Sequence, residues 1–320
     1  MRRKETKKGP GSTQGNYYRG LMPFEWPMLI YAMLTTLLVL FMQTRLHNPA
    51  SMLLLRFQSV AMMVALWGVY RLWPCRLTMG CRLLLQLALL GSWYPETFEF
   101  SRMLPNQDPT FAALDQQLFG FQPALLFSQH FSNPVLSELL TVGYLSYFPM
   151  IMGVPVYYLL RRPDRFQHAA FVMLAAFFTF YVVFALLPVA GPQFYYPVAG
   201  VDEIARGVFP AVGDYFETHS SELMLTPGYA DGLFHRLLMV AHETGEFPTA
   251  AFPSSHVGVT TVLLLLAART GERRLFWLML PFGVLMFFAT VYIMAHYAVD
   301  AMAGLAIGAI MYFGFSKIKG

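Results

Sequence analysis

The chain has 320 residues, 56% hydrophobic and 12% charged, with a mean hydropathy of +0.48 and a formal net charge of +4. Soluble domains carry about 25% charged residues, so this composition excludes a soluble enzyme and points to an integral membrane protein. Apolar runs near the ~20 residues that span a bilayer exclude a barrel of ~10-residue alternating strands, and basic residues at the run ends read as topology signals, not as a nucleic-acid surface.

Residues 1–20 are basic, rich in Gly and Ser, and expected to be disordered, with no pattern of a cleaved signal peptide. Eight spans are predicted at about 24–43, 52–72, 80–98, 139–160, 168–189, 253–269, 275–294 and 297–316. The expected fold is an all-α polytopic transmembrane bundle. Spans one and two, within residues 21–79, form an N-terminal pair. The other six, within 80–316, form a core with external loops 99–138 and 190–252.

The third span is the weakest, because Glu96 and Glu99 intrude at its end. Cys75 and Cys81 are too few for a disulfide framework and are given no role. Phe111 to Phe131, broken by Gly120 and Pro123, reads as an element lying in the membrane interface, placed to guide a lipid sideways. His242, Glu243 and Glu246 form a polar stretch ahead of Pro253. A solvated loop is their ordinary reading, and a headgroup pocket the other.

Counting along these spans, 17 of the 22 Lys and Arg fall on one side; Arg45, Arg56, Arg102, Arg206 and Arg236 are the rest. That skew puts both termini in the cytoplasm and both long loops on the opposite face. The plain N-terminus favours a bacterial inner membrane.

Two motifs carry the chemistry. Pro253-Ser254-Ser255-His256 opens the sixth span, where serines cap a helix and outward amides suit an anion. His296-Tyr297-Ala298-Val299-Asp300 lies at the reversal between the last two spans. Residues four apart share a helix face, so Asp300 is expected to hold and polarise the His296 ring. Both histidines fall at the same membrane face. An acidic residue in such a segment is by default functional.

The two histidine motifs together resemble the type 2 phosphatidic acid phosphatase superfamily, and within it the branch of inositol phosphorylceramide synthases. Ala190-Gly191-Pro192 is similar to that branch's first motif, and Asp115, Leu118, Gly120 and Pro123 match its D-x2-L-x-G-x2-P stretch. The resemblance spans roughly residues 80–316. It implies that His296 attacks phosphorus to form a phosphohistidine, that Asp300 holds its ring, and that His256 serves as acid and base. Gly191, Pro192, Gln193, Ser254 and Ser255 are the expected phosphate contacts.

It implies no metal, no cofactor and no nucleic-acid partner; the partners are membrane lipids. Headgroup transfer of the inositol-phosphate type onto a lipid alcohol is favoured. A lipid phosphate phosphatase is the alternative, and a non-enzymatic lipid-phosphate carrier the more distant one. The chain departs from the superfamily's phosphatases in lacking their cationic clamp. Gln193 stands near the first motif, and Ala289-Thr290 where an arginine is usual. Less cationic charge suits a phosphodiester better than a dianionic monoester. Arg206 and Arg236, in the second external loop, are the remaining cationic candidates.

Overall fold

The computed structural model describes residues 20–219, 223–224, 228, 231–243 and 245–318; the segment expected to be disordered lies outside them, Gly20 apart. Described residues contain helices and no strand. In chain order these are α1 (Trp26–Met42), α2 (Pro49–Leu72), α3 (Arg76–Ser101), α4 (Asp108–Phe119), α5 (Pro123–His130), α6 (Pro134–Leu145), α7 (Tyr147–Arg161) and α8 (Pro163–Leu186). Then follow α9 (Pro192–Ala199), α10 (Val201–Ala205), α11 (Tyr215–Thr218), α12 (Leu233–Glu243), α13 (Ser255–Arg269), α14 (Arg273–Tyr292) and α15 (Ala298–Phe315).

The fold is the expected all-α polytopic bundle, and each predicted span falls on α1, α2, α3, α6 with α7, α8, α13, α14 or α15. Five helices are long and apolar enough to cross a membrane, and the bent pair α6–α7 makes six. Among the predicted spans, α13 has only 15 residues, and α3 carries Arg76, Arg82, Glu96 and Glu99. Most enclosed of the candidate spans is α8, against which α1, α3, α7, α13 and α15 pack. Phe41, Phe57 and Leu72 stay largely exposed on α1 and α2, as lipid-facing side chains do. The two long connections, 99–138 and 190–252, are substantially helical among the described residues, not open loops.

Charge buried where the N-terminal helices meet α3 is paired. Arg56 on α2 donates from Nη1 and Nη2 to the Glu96 carboxylate of α3 at 2.9 and 2.8 Å, both side chains 7% exposed. Arg82 of α3 is likewise paired with Glu25 ahead of α1. So α3 runs through Glu96 and Glu99 to Ser101: Arg56 answers Glu96, while Arg102 and His47 answer Glu99. Arg82, counted above as a topology charge, is instead a buried structural one.

Two local features shape the site end. Gly258, Gly304 and Gly308 let the backbones of α13 and α15 touch. A Cβ at Gly304 would lie 2.4 Å from the Ser254 carbonyl oxygen, and one at Gly308 2.3 Å from that of Gly258. The α6–α7 pair bends by 42° at Ser146, whose hydroxyl donates to the Gly143 carbonyl at 2.6 Å. A serine bonding back to its own helix in this way is a known cause of bending. Arg76, Arg162 and Arg165 bond the carbonyls of Leu160, Thr270 and Arg269 at the opposite end of the bundle.

Candidate active site

His296 lies in the short reversal between α14 and α15. Its amide donates to the Thr290 carbonyl at 3.1 Å, and Met294 takes a left-handed φ of 61° to make the turn. The ring is 3% exposed. Its Nδ1 is 2.7 Å from the Ala251 carbonyl oxygen. A carbonyl can only accept, so Nδ1 carries the proton and Nε2 bears the lone pair. Burial lowers the His296 pKa to about 4, opposed by the Ala251 bond, so the imidazole is neutral at neutral pH.

That Nε2 lies 3.5 Å from Nδ1 of His256. The two motifs, 40 residues apart, therefore meet as expected. His256 occupies the first turn of α13, where Ser254 is the N-cap and its Oγ accepts from the Val257 amide at 3.3 Å. Rings of Tyr144 and Tyr147 lie on the His256 ring, with centroids 4.6 and 4.5 Å away. Those tyrosines flank the α6–α7 bend, so the bend delivers both to the histidine.

Asp300 does not hold the ring as expected. Its Oδ2 is 3.8 Å from Nδ1, beyond a hydrogen bond, and accepts instead from the Tyr297 amide at 2.8 Å. The reason is local. Tyr297 is the N-cap of α15 and Asp300 its third helical residue, so the carboxylate closes the helix start. Ala251, two residues ahead of the Pro253 motif, takes the orienting role.

The expected phosphate contacts also change. The Gly191 amide donates to Asp108 Oδ1 at 2.8 Å, and the Ser254 amide to the Asp300 carbonyl at 3.0 Å, so neither is open to an anion. Gly191 is needed for shape. Its φ is +96°, and a Cβ there would lie 2.7 Å from the Ala295 carbonyl oxygen. Pro192 opens α9. The Gln193 amide donates to the Met294 carbonyl at 2.9 Å, and its side chain reaches Glu246. The Ser255 amide, at the first position of α13, has no carbonyl within its own helix to bond and lies where the dipole favours an anion. Arg206 is exposed and paired with Glu203, and Arg236 donates to the Asp231 carbonyl. Side chains of His242 and Glu243 lie outside the described residues.

The sequence gives no role to Asp108 and only a motif match to Asp115, though seven residues apart they share a face of α4. Asp108 accepts from the amides of Ala190 and Gly191 at 2.7 and 2.8 Å, from Asn106 at 2.6 Å and from the Tyr297 hydroxyl at 2.9 Å. Asp115 accepts from the amides of Ala298 and Val299 at 2.8 and 3.0 Å, capping α15 from another helix. Burial raises both carboxyls, Asp115 to about 6, against the pull of those amides. The segment read as interfacial thus also fixes the His296 reversal, while Leu118 and Phe121 stay exposed on its other side. Among the described residues, no group of three His, Cys, Asp or Glu is arranged to hold a metal.

The sequence pattern of the PAP2 superfamily matches residues 109–313, a stretch that includes both histidines, Asp115, Gly191 and Asp300. No curated protein and no solved structure is significantly similar to the chain.

Proposed function

The chain belongs to the PAP2 superfamily, whose members act as lipid phosphatases and phosphotransferases, and on that premise we propose a membrane phosphotransferase that works through a phosphohistidine on His296. The observation that carries the proposal is the histidine pair: a neutral, buried His296 whose protonated Nδ1 is fixed by Ala251, leaving Nε2 directed at His256 3.5 Å away.

In the forward step the Nε2 lone pair attacks phosphorus, and His256 donates a proton to the departing oxygen. The ring then carries positive charge, which Asp300, 3.8 Å from Nδ1, stabilises across a site of low dielectric. In the second step His256 takes the proton from the incoming alcohol or water, and the P–N bond breaks. Reacting atoms approach to about 3–3.5 Å before attack. The present gap between the rings is too short for a phosphoryl group, so His256 turns away from His296 when substrate enters.

Headgroup transfer from a phosphodiester lipid to a lipid alcohol is the favoured form. Among the described residues Asp108, Asp115 and Asp300 are answered by backbone amides, Asn106 and the Tyr297 hydroxyl and not by arginine or lysine, which suits a singly charged diester better than a dianionic monoester. The same reading puts both termini in the cytoplasm of a bacterial inner membrane and the histidines at the opposite face. The clustering of basic residues at the far end of the bundle supports that orientation.

The test is a lipid-product assay on purified protein, wild type beside His296→Ala, with phosphodiester and monoester donors, with and without ceramide or diacylglycerol. A new phosphodiester lipid, lost in the variant, is the expected result. Release of free phosphate alone would make the protein a phosphatase. Equal behaviour of wild type and variant on every donor would overturn the phosphohistidine, and lipid transport persisting in the variant would favour a carrier.

A further inference from the structure

Two tyrosine rings bear on His256, the acid that the mechanism calls on. Tyr144 lies against its ring with centroids 4.6 Å apart and planes inclined by 27°, and Tyr147 with centroids 4.5 Å apart and planes inclined by 44°. Both tyrosines are buried, and the Tyr147 side chain also reaches that of Ser255, the residue before His256. An imidazole gives and takes protons in its ring plane, so rings packed on its face decide where its nitrogens point. Aromatic pairs at this separation favour definite mutual geometries. The two contacts therefore restrict the swing that His256 makes when substrate enters.

The tyrosines are themselves held in register with the other histidine. Gly143, the residue before Tyr144, lets α6 close on α14: a Cβ there would lie 2.5 Å from Cβ of Leu285. Ser137 of α6 is hydrogen-bonded to Tyr292, the last residue of α14 and four positions before His296. Between the two tyrosines lies Ser146, at the 42° bend, and the Tyr147 ring is 6.3 Å from that of Phe177 on α8. Tyr144 and Tyr147 thus join the ring of His256, which comes from α13, to the frame that carries His296.

We infer that Tyr144 and Tyr147 are positioning residues for the proton transfer: their rings set the plane and reach of His256 so that its proton meets the oxygen departing from phosphorus. In that step the P–O bond breaks, its electron pair stays on oxygen and takes the His256 proton, while Nε2 of His296 forms the new bond to phosphorus. The rings carry the task, since they are what touches the imidazole. A tyrosine that only filled the bend would, on removal, lower stability or slow every donor alike. One that positions an acid matters for donors whose departing group needs a proton. This inference rests on the phosphotransferase reading, and its test separates the two.

Short-chain phosphatidylinositol and 4-nitrophenyl inositol phosphate share the inositol-phosphoryl half and differ in what departs. The first loses an alcohol that needs the proton, the second a nitrophenolate that leaves without it. Release of the departing group in a single turnover, which reads the first step alone, is measured on wild type, His256→Ala, and leucine and phenylalanine variants of Tyr144 and Tyr147. Both donors are compared on the same preparation, so a smaller folded fraction cancels from their ratio; methionine replaces leucine where leucine yields no folded protein.

On phosphatidylinositol, His256→Ala should lose about 10²- to 10⁴-fold, the usual worth of a general acid, and each leucine variant about tenfold or more. On the nitrophenyl donor each leucine variant should stay within about threefold of wild type. Phenylalanine at either position, which keeps the ring, should restore most of the loss. Equal losses on both donors, no loss in the leucine variants, or phenylalanine variants as impaired as leucine would overturn the positioning role. Wild type that releases neither departing group, or His256→Ala that matches wild type on both donors, would sink the phosphotransferase reading instead.

Discussion

Buried carboxylates occur at both the N-terminal helix pair and the histidine end, and they are answered differently. Where α1 and α2 meet α3, Glu25 faces Arg82 and Glu96 faces Arg56. Around His296, Asp108 and Asp115 face backbone amides, and Asp300 closes the start of its own helix. An ion pair joins two side chains and fastens helix to helix. A carboxylate that takes two amides fixes the path of the backbone itself. The first arrangement holds the N-terminal pair on the core, and the second holds the reversal that carries His296.

Breaking the first arrangement gives the largest change in stability. Arg56→Met leaves Glu96 buried and unpaired, which costs about 3–5 kcal/mol. The melting temperature in detergent should fall sharply, while Arg56→Met combined with Glu96→Leu should regain most of the loss. Turnover per folded molecule should stay near wild type in the double variant. If Arg56→Met alone melted like wild type, the ion pair would not fasten α2 to α3.

Breaking the second should act on catalysis more than on stability. Asp115→Ala uncaps the Ala298 and Val299 amides, a loss of about 0.5–2 kcal/mol typical of a helix cap. The expected result is a 10- to 100-fold fall in kcat with KM little changed, partly recovered in Asp115→Asn, whose carbonyl can still accept. A rise in KM with kcat intact would instead make Asp115 a binding residue.

The smallest effect concerns pH. His296 must be unprotonated to attack, and burial sets its pKa at about 4. Activity should therefore persist as pH falls from 7 to 5 and be lost only on passing through about 4, whereas an ordinary histidine would fail near pH 6.5. A kcat/KM limb near pH 6.5 assigned to His296 would show that the ring is more solvated than its contacts imply.

The bundle was legible because apolar runs of spanning length leave a strong local signal, and every predicted span coincides with helix. Glu96 blurred the end of α3, since its partner Arg56 lies 40 residues away and no local pattern joins them. The two histidines were readable from their motifs, and helix rise alone brought them to one face. Their hydrogen bonds were not. The His-x3-Asp spacing gave Asp300 to the ring, yet the free amide of Tyr297 competes for the same oxygen and is nearer. The partner the ring does take, Ala251, is a backbone carbonyl, and a carbonyl leaves no mark in a sequence. Asp115 stood within a recognised stretch, but its task, capping a helix that starts 183 residues later, is visible only once α4 is folded against α15.

On the proposed mechanism His296 carries the phosphoryl group. Its most direct test is rapid quenching of the purified enzyme during turnover of a donor labelled in the phosphoryl group, followed by peptide mapping. A label that is stable in alkali, labile in acid, located on His296 and absent from His296→Ala is the predicted result. Turnover without any labelled enzyme, or a label that persists in His296→Ala, would contradict it.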